Sequence, residues 1–192
     1  MLKRRGFREA YSMEGGIRAW KGLVAVGFPE VGAAYFYTSR TIADFISLSW
    51  FLEEGTRMFY LRLTDITDDA RADELWKTLI DSEEKHKSSL RDLYGKVTGE
   101  KFEPEGDPER GETIIMEGGV AVDGAVEWAR NKDLKEILEL SISLEAISYD
   151  RYLHLSTIVD VDETRGAFRV LAREEKKHLE RLTALFDDTL GG

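Results

Sequence analysis

The chain has 192 residues and a net charge of −10 at pH 7, a length that allows one domain with a sizeable core and an appendage. The acidic balance, with no basic stretch interleaved with aromatics, excludes a phosphate-binding surface and so excludes nucleic acid as a partner. Cysteine is absent, which excludes disulfides, thiolate nucleophiles, iron–sulfur clusters and a four-cysteine iron centre.

Residues 1–33 read as an N-terminal arm ahead of a domain at 34–192. Lys3, Arg4 and Arg5 are followed by mixed polar residues, and the apolar run from Leu23 to Phe28 is too short to span a bilayer. No secretory or membrane segment is expected, and a cytoplasmic protein is. The stretch from Gly6 through Gly15-Gly16 to Gly22 resembles the end of a rhodanese domain, where a last strand leads through Gly-Gly into a short helix. Sulfurtransferase activity does not carry over, because the chain has no cysteine. A plain arm with one short amphipathic helix accounts for the same residues equally well. Trp20, Leu23, Val24, Val26 and Phe28 would expose an apolar patch, so the arm is expected to pack on the domain or on a second subunit.

A long helical pattern begins near Thr38, with Thr38, Ser39 or Thr41 available as N-cap. Ile42, Ile46, Ser49, Trp50, Glu53, Arg57 and Tyr60 follow the three-and-four spacing of one stripe, which puts Glu53 on the core side. A second helix is expected from about Asp69 to Val97, with Leu75, Leu79, Glu83, His86, Leu90 and Leu93 inward. Residues 98–118 are rich in Gly, Glu and Pro and read as a loop, and Val120 to Asn131 reads as a short helix. An up-and-down bundle needs only a few residues at this point, so the excess suggests a crossover running the length of the bundle. The third helix, about Leu134 to Val159, carries Leu138, Ser141, Ile142, Glu145, Ser148, Tyr149 and Tyr152. The fourth, about Asp162 to Thr189, carries Leu171, Glu175, His178, Leu182 and Leu185.

Two of these helices contain Glu-x-x-His, as Glu83 with His86 and as Glu175 with His178. On a helix that spacing puts carboxylate and imidazole on one face, one turn apart, able to converge on one cation. A shift of 92 positions carries the first copy onto the second, and with it Leu79, Leu90 and Leu93 onto Leu171, Leu182 and Leu185. Upstream it carries Leu48, Glu53, Tyr60 and Leu63 onto Leu140, Glu145, Tyr152 and Leu155. The chain is an internal duplication. Glu53 lies as far before Glu83 as Glu145 lies before Glu175, and the midpoints fall where the helical pattern breaks. Each half is therefore a helical hairpin holding Glu, Glu and His at one level.

From about residue 38 to 188 the sequence resembles the ferritin-like di-iron carboxylate superfamily, and within it the rubrerythrin-related proteins. That superfamily places one Glu on each of two helices and Glu-x-x-His on the other two, all projecting into a four-helix bundle. Glu53, Glu83, His86, Glu145, Glu175 and His178 fill those positions. The fold expected is all-α: a ferritin-like four-helix bundle of two duplicated hairpins joined by a long crossover, with a short N-terminal arm.

Four carboxylates facing one core repel one another and lose hydration, and two divalent cations would balance them. The mixed oxygen and imidazole set suits two iron ions, with manganese or zinc as other occupants. The competing account is buried Glu–His pairs or solvated faces, which the duplicated six-residue set weighs against. Tyr60 and Tyr152 each lie seven residues after Glu53 and Glu145, on nearly the same face. They are open to three roles: hydrogen-bonding a ligand carboxylate, electron transfer, or packing as core aromatics. His154 lies half a circle from Glu145 and is expected at the surface.

The resemblance implies a di-iron oxidoreductase that reduces hydrogen peroxide or reacts with dioxygen, fed by an external donor such as a rubredoxin-like protein. Rubrerythrins commonly carry a further glutamate one turn after the third-helix glutamate, and here Ser148 stands there. A ferritin-type iron-binding ferroxidase and a metal-stabilised interaction module of a rhodanese fusion are the alternatives. A homodimer is expected.

Overall fold

The computed structural model describes residues 41–104 and 113–190. The N-terminal arm, its rhodanese-like stretch and Gly191-Gly192 lie outside the described residues. Helix α1 spans Ile42–Leu63 and is capped by Thr41. The Asp44 backbone N–H donates to Thr41 Oγ1 at 3.1 Å, and the Thr41 N–H donates to Asp44 at 2.9 Å. This reciprocal pair satisfies donors that the first turn cannot use, a contribution of about 1 kcal/mol.

Helix α2 spans Ala70–Thr98, with Asp69 accepting from the Arg71 and Ala72 N–H groups at its start. Its end is set by Gly99, whose φ of 75° turns the chain into the left-handed region. Helix α4, Leu134–Ile158, repeats the device of α1, with Asp133 and Glu136 as the two members. Helix α5 spans Asp162–Leu190.

The connection between the hairpins departs from the loop that its composition suggests. Ile115–Met116 (β1) and Val120–Ala121 (β2) pair antiparallel, Ile115 opposite Ala121 and Met116 opposite Val120. Between them Glu117–Gly119 makes a single 3₁₀ turn, and Val122–Ala129 forms the short helix α3. Two-residue strands leave almost no periodicity to read, which is why the sequence does not announce them. This miniature hairpin lies along α1, and its 3₁₀ turn also touches α4. It gets that close because Gly55 of α1 has no side chain: a Cβ there would come within 2.2 Å of the Ile115 carbonyl oxygen.

Helices α1 and α2 pack as one hairpin, α4 and α5 as the other, and the two meet along α2 and α5. Each long helix runs from one apolar cluster to the other. Phe59, Leu63, Trp76, Leu79, Leu138 and Leu182 belong to the first, and Ile46, Leu90, Leu93, Leu155, Phe168 and Leu171 to the second. Burying a side chain of this size stabilises the fold by about 1.5–3 kcal/mol. In each of the four long helices a buried glutamate falls between the two clusters: Glu53, Glu83, Glu145 and Glu175. The described chain is therefore an all-α, ferritin-like four-helix bundle with a polar layer held between apolar ends. Among the described residues no helix is long and apolar enough to cross a membrane.

Candidate metal centre

The polar layer contains Glu53, Glu83, His86, Glu145, Glu175 and His178, none more than 3 % exposed. They form two overlapping groups whose donor atoms lie within 4.8 Å of one another. One is Glu53, Glu83, His86 and Glu175; the other is Glu83, Glu145, Glu175 and His178. Glu83 and Glu175, the glutamates of the two motifs, belong to both, as carboxylates lying between two cations would. The structure thus brings together all six residues singled out by the duplication.

Both imidazoles face the layer through Nδ1. His86 Nδ1 lies 3.2 Å from Glu83 and from Glu175 and 3.5 Å from Glu53. His178 Nδ1 lies 2.9 Å from Glu145 and 3.1 Å from Glu175. The rings stack at 5.2 Å between centroids. The neighbouring Glu54 points the other way, to Lys87 at 2.5 Å and Arg57 at 2.8 Å, so Arg57 belongs to this peripheral network. The duplication separates these adjacent glutamates correctly, since only Glu53 has a glutamate counterpart.

Tyr60 and Tyr152 each cross to the opposite hairpin. Tyr60 donates to Glu145 Oε1 at 2.5 Å, and Tyr152 donates to Glu53 Oε1. Burial, then the charge of Glu145, raises the Tyr60 hydroxyl well above its usual range. Tyr152 is raised by burial too, with Arg151 opposing and Glu53 reinforcing. Both phenols therefore stay protonated as donors. The tyrosines are in contact with carboxylates of the layer as well as packed in the core. His154 is exposed.

The electrostatics of the layer are those of carboxylates crowded together out of water. Burial, then the neighbouring Glu53, pushes Glu83 well up. Glu53 is also pushed up by burial and by Glu175, but hydrogen bonds with Glu83 and His86 and the charge of Arg151 outweigh this and hold it at about 2. Burial lifts Glu145 to about 7 despite the charge of His178. Burial disfavours charge on His178, yet Glu145 and Glu175 bring it to about 9. His86 is likewise carried well up by Glu175 against its burial. Retained protons thus do the balancing that cations would otherwise do.

The donor set fits two divalent cations. Four carboxylates supply charge to match two such ions, the two imidazoles supply nitrogen donors, and all six side chains are buried. Among the described residues Glu175 Oε2 makes no hydrogen bond, though His178 Nδ1 lies 3.1 Å away, so it keeps lone pairs that a cation would use.

Two further buried ionic residues border the layer. Arg151 is 7 % exposed and Glu117 is 1 % exposed. Arg151 Nη2 donates to Glu53 Oε1 at 2.9 Å, to Ser148 Oγ at 3.0 Å, and to Glu117 Oε1. Ser148 Oγ in turn donates to Glu175 Oε1 at 3.0 Å. Burial first, then Glu53 and Glu175, raises Glu117 to about 8 although Arg151 opposes this. Each had a trace in the sequence. The 92-position shift places Arg151 on the core residue Phe59, and Glu117 is a lone charge inside the apolar run from Ile114 to Val120.

The rubrerythrin family model matches residues 136–191, which are almost all of α4 and α5 with their Glu145, Glu175 and His178. The match does not reach residues 1–33, so the likeness of that stretch to a rhodanese end gains no support from it. Neither the curated proteins nor the solved structures give a match. The second hairpin is thus similar to rubrerythrin in sequence, and the first, its internal duplicate, completes the buried carboxylate and histidine layer.

Proposed function

We propose that the chain is a non-haem di-iron oxidoreductase of rubrerythrin type, reducing hydrogen peroxide or reacting with dioxygen with electrons from an external protein donor. One observation carries this reading: the two duplicated hairpins bury four carboxylates and two imidazoles in one layer, and the second hairpin matches rubrerythrin. Bound there, two iron ions would supply two electrons to an oxygen substrate by passing from ferrous to ferric. Glu53, Glu83, His86 and Glu175 would hold one ion, and Glu83, Glu145, Glu175 and His178 the other.

The chain's own residues do the rest. Tyr60 and Tyr152 fix the outer oxygens of Glu145 and Glu53 and so aim the inner ones. The two apolar clusters keep bulk water from both ends of the layer. A cleft of about 440 Å³ between α2 and α5 reaches His86 and His178 and offers a way in for a small oxygen species. Its rim carries Lys85 and Lys177, which the 92-position shift superimposes, together with Arg181.

The test is anaerobic loading with ferrous iron followed by oxidation. Faster oxidation by hydrogen peroxide than by dioxygen, with repeated turnover once a reducing partner is added, supports the reading. Net iron uptake beyond two ions per chain would replace it with the ferritin-type alternative.

A further inference from the structure

The six-residue layer repeats under the 92-position shift, but one flank of it does not. Ser148 corresponds to Thr56, a similar hydroxyl, whereas Arg151 corresponds to Phe59. Phe59 is fully buried and simply packs. A guanidinium at the matching place costs several kcal/mol to desolvate, and an apolar residue of similar volume does the structural job as well. Packing alone does not account for Arg151.

Its partner Glu117 is brought in by a purpose-built segment. The β1–β2 pair closes the turn, and Gly118 and Gly119 adopt φ of 71° and 72°, which side chains disfavour. The Glu117 N–H points to Thr56 Oγ1 at 3.5 Å, and Gly55 leaves room for the Ile115 carbonyl. The result is a fifth buried carboxylate beside the other four. Among the described residues Glu117 Oε2 has no hydrogen-bond partner, nor have Arg151 Nε and Nη1. One nitrogen, Arg151 Nη2, touches both Glu117 Oε1 and Glu53 Oε1, so Glu117 stands a single donor atom away from a member of the His86 group. Once a cation displaces its proton, Glu117 would offset the charge of Arg151, so the pair would add nothing to the net charge of four carboxylates and two divalent cations.

Resting on the metal-centre reading above, we propose that Glu117 is a further carboxylate ligand of the cation held by Glu53, Glu83, His86 and Glu175, and that Arg151 competes with that cation for it. The two metal positions are then inequivalent although the hairpins are duplicates. Among the described residues His178's group has no such neighbour, because Phe59 occupies the place of Arg151 in the other half.

The test uses the full metal-free chain titrated with cobalt(II), read by visible absorption and by affinity for each equivalent, with helical circular dichroism as the folding control. In the unaltered chain two equivalents bind. Glu117→Gln should weaken one of them about 10–100-fold and change its absorption band, leaving the other as it was. Arg151→Met should tighten the same equivalent, and that gain should vanish in the Glu117→Gln background. Glu117→Asp, which keeps the charge but draws the oxygens back, should also change the band of that equivalent. Unchanged bands in Glu117→Gln and Glu117→Asp overturn the proposal, and so does an Arg151→Met gain of equal size in both backgrounds, which reports only a lost positive charge. If Glu117→Gln does not fold, the Glu117→Asp band alone decides. No cobalt binding by the unaltered chain would overturn the metal-centre reading itself, and the proposal with it.

Discussion

The hydroxyl of Tyr60 on the first hairpin donates to Glu145 on the second, 2.5 Å away. The duplication returns the same bond in reverse, from Tyr152 to Glu53, so the hairpins are tied together through the layer they enclose. Removing either hydroxyl leaves a buried carboxylate oxygen with one donor fewer. Tyr60→Phe and Tyr152→Phe are each expected to lower metal affinity about tenfold with helix content unchanged. Titration with cobalt(II) or manganese(II) measures this, and wild-type affinity in both variants would mean that the tyrosines act only as core aromatics.

The glutamates should stabilise the loaded protein and not the metal-free one. Glu83 holds its proton in the metal-free layer because burial and Glu53 push it well up, and a glutamine is nearly the same shape as that neutral acid. Glu83→Gln should therefore leave the metal-free melting temperature almost unchanged while reducing the rise produced by saturating metal, since a ligand that binds only the folded state stabilises it in proportion to its affinity. An undiminished rise would remove Glu83 from the ligand set.

Metal binding should release protons. Glu145, at about 7, and His178, at about 9, both lie above their ordinary values, so near neutral pH the metal-free folded layer holds protons that a cation must displace. The sign follows: affinity falls as pH is lowered, and adding a divalent cation at pH 7 in weak buffer acidifies the solution. A pH-stat or indicator dye reads the release directly. No release would mean that the cation binds elsewhere.

Gly55→Ala tests the crossover. The new methyl would sit 2.2 Å from the Ile115 carbonyl oxygen and within 2.8 Å of the Met116 Cα, both backbone atoms that cannot turn aside. The segment must shift or the helix must bend, at about 1–3 kcal/mol. A drop in melting temperature is expected; a fully stable variant would show that the segment does not press on α1.

Much of this was written in the sequence because it depends on local geometry and on repetition. Helical spacing puts Glu83 with His86 and Glu175 with His178 on single faces, and the 92-position repeat selects Glu53 over Glu54 and pairs it with Glu145. Charge arithmetic then calls for a counter-charge in any core that encloses all four carboxylates. Thr41, one of the three N-cap candidates the sequence offers, caps α1.

Tertiary structure alone decided what crosses between elements. Nothing in the helical period says that Tyr60 reaches Glu145 rather than its own hairpin's Glu53, because partner choice across a bundle depends on how the hairpins dock. Nor does composition reveal that a segment reading as loop folds into a two-stranded turn. Its bonds join Ile115 to Ala121 and its burial depends on the bare backbone of Gly55. Arg151 and Glu117 each left a trace in the sequence but not their pairing: only the docking of the crossover against α1 and α4 places the two side by side next to Glu53.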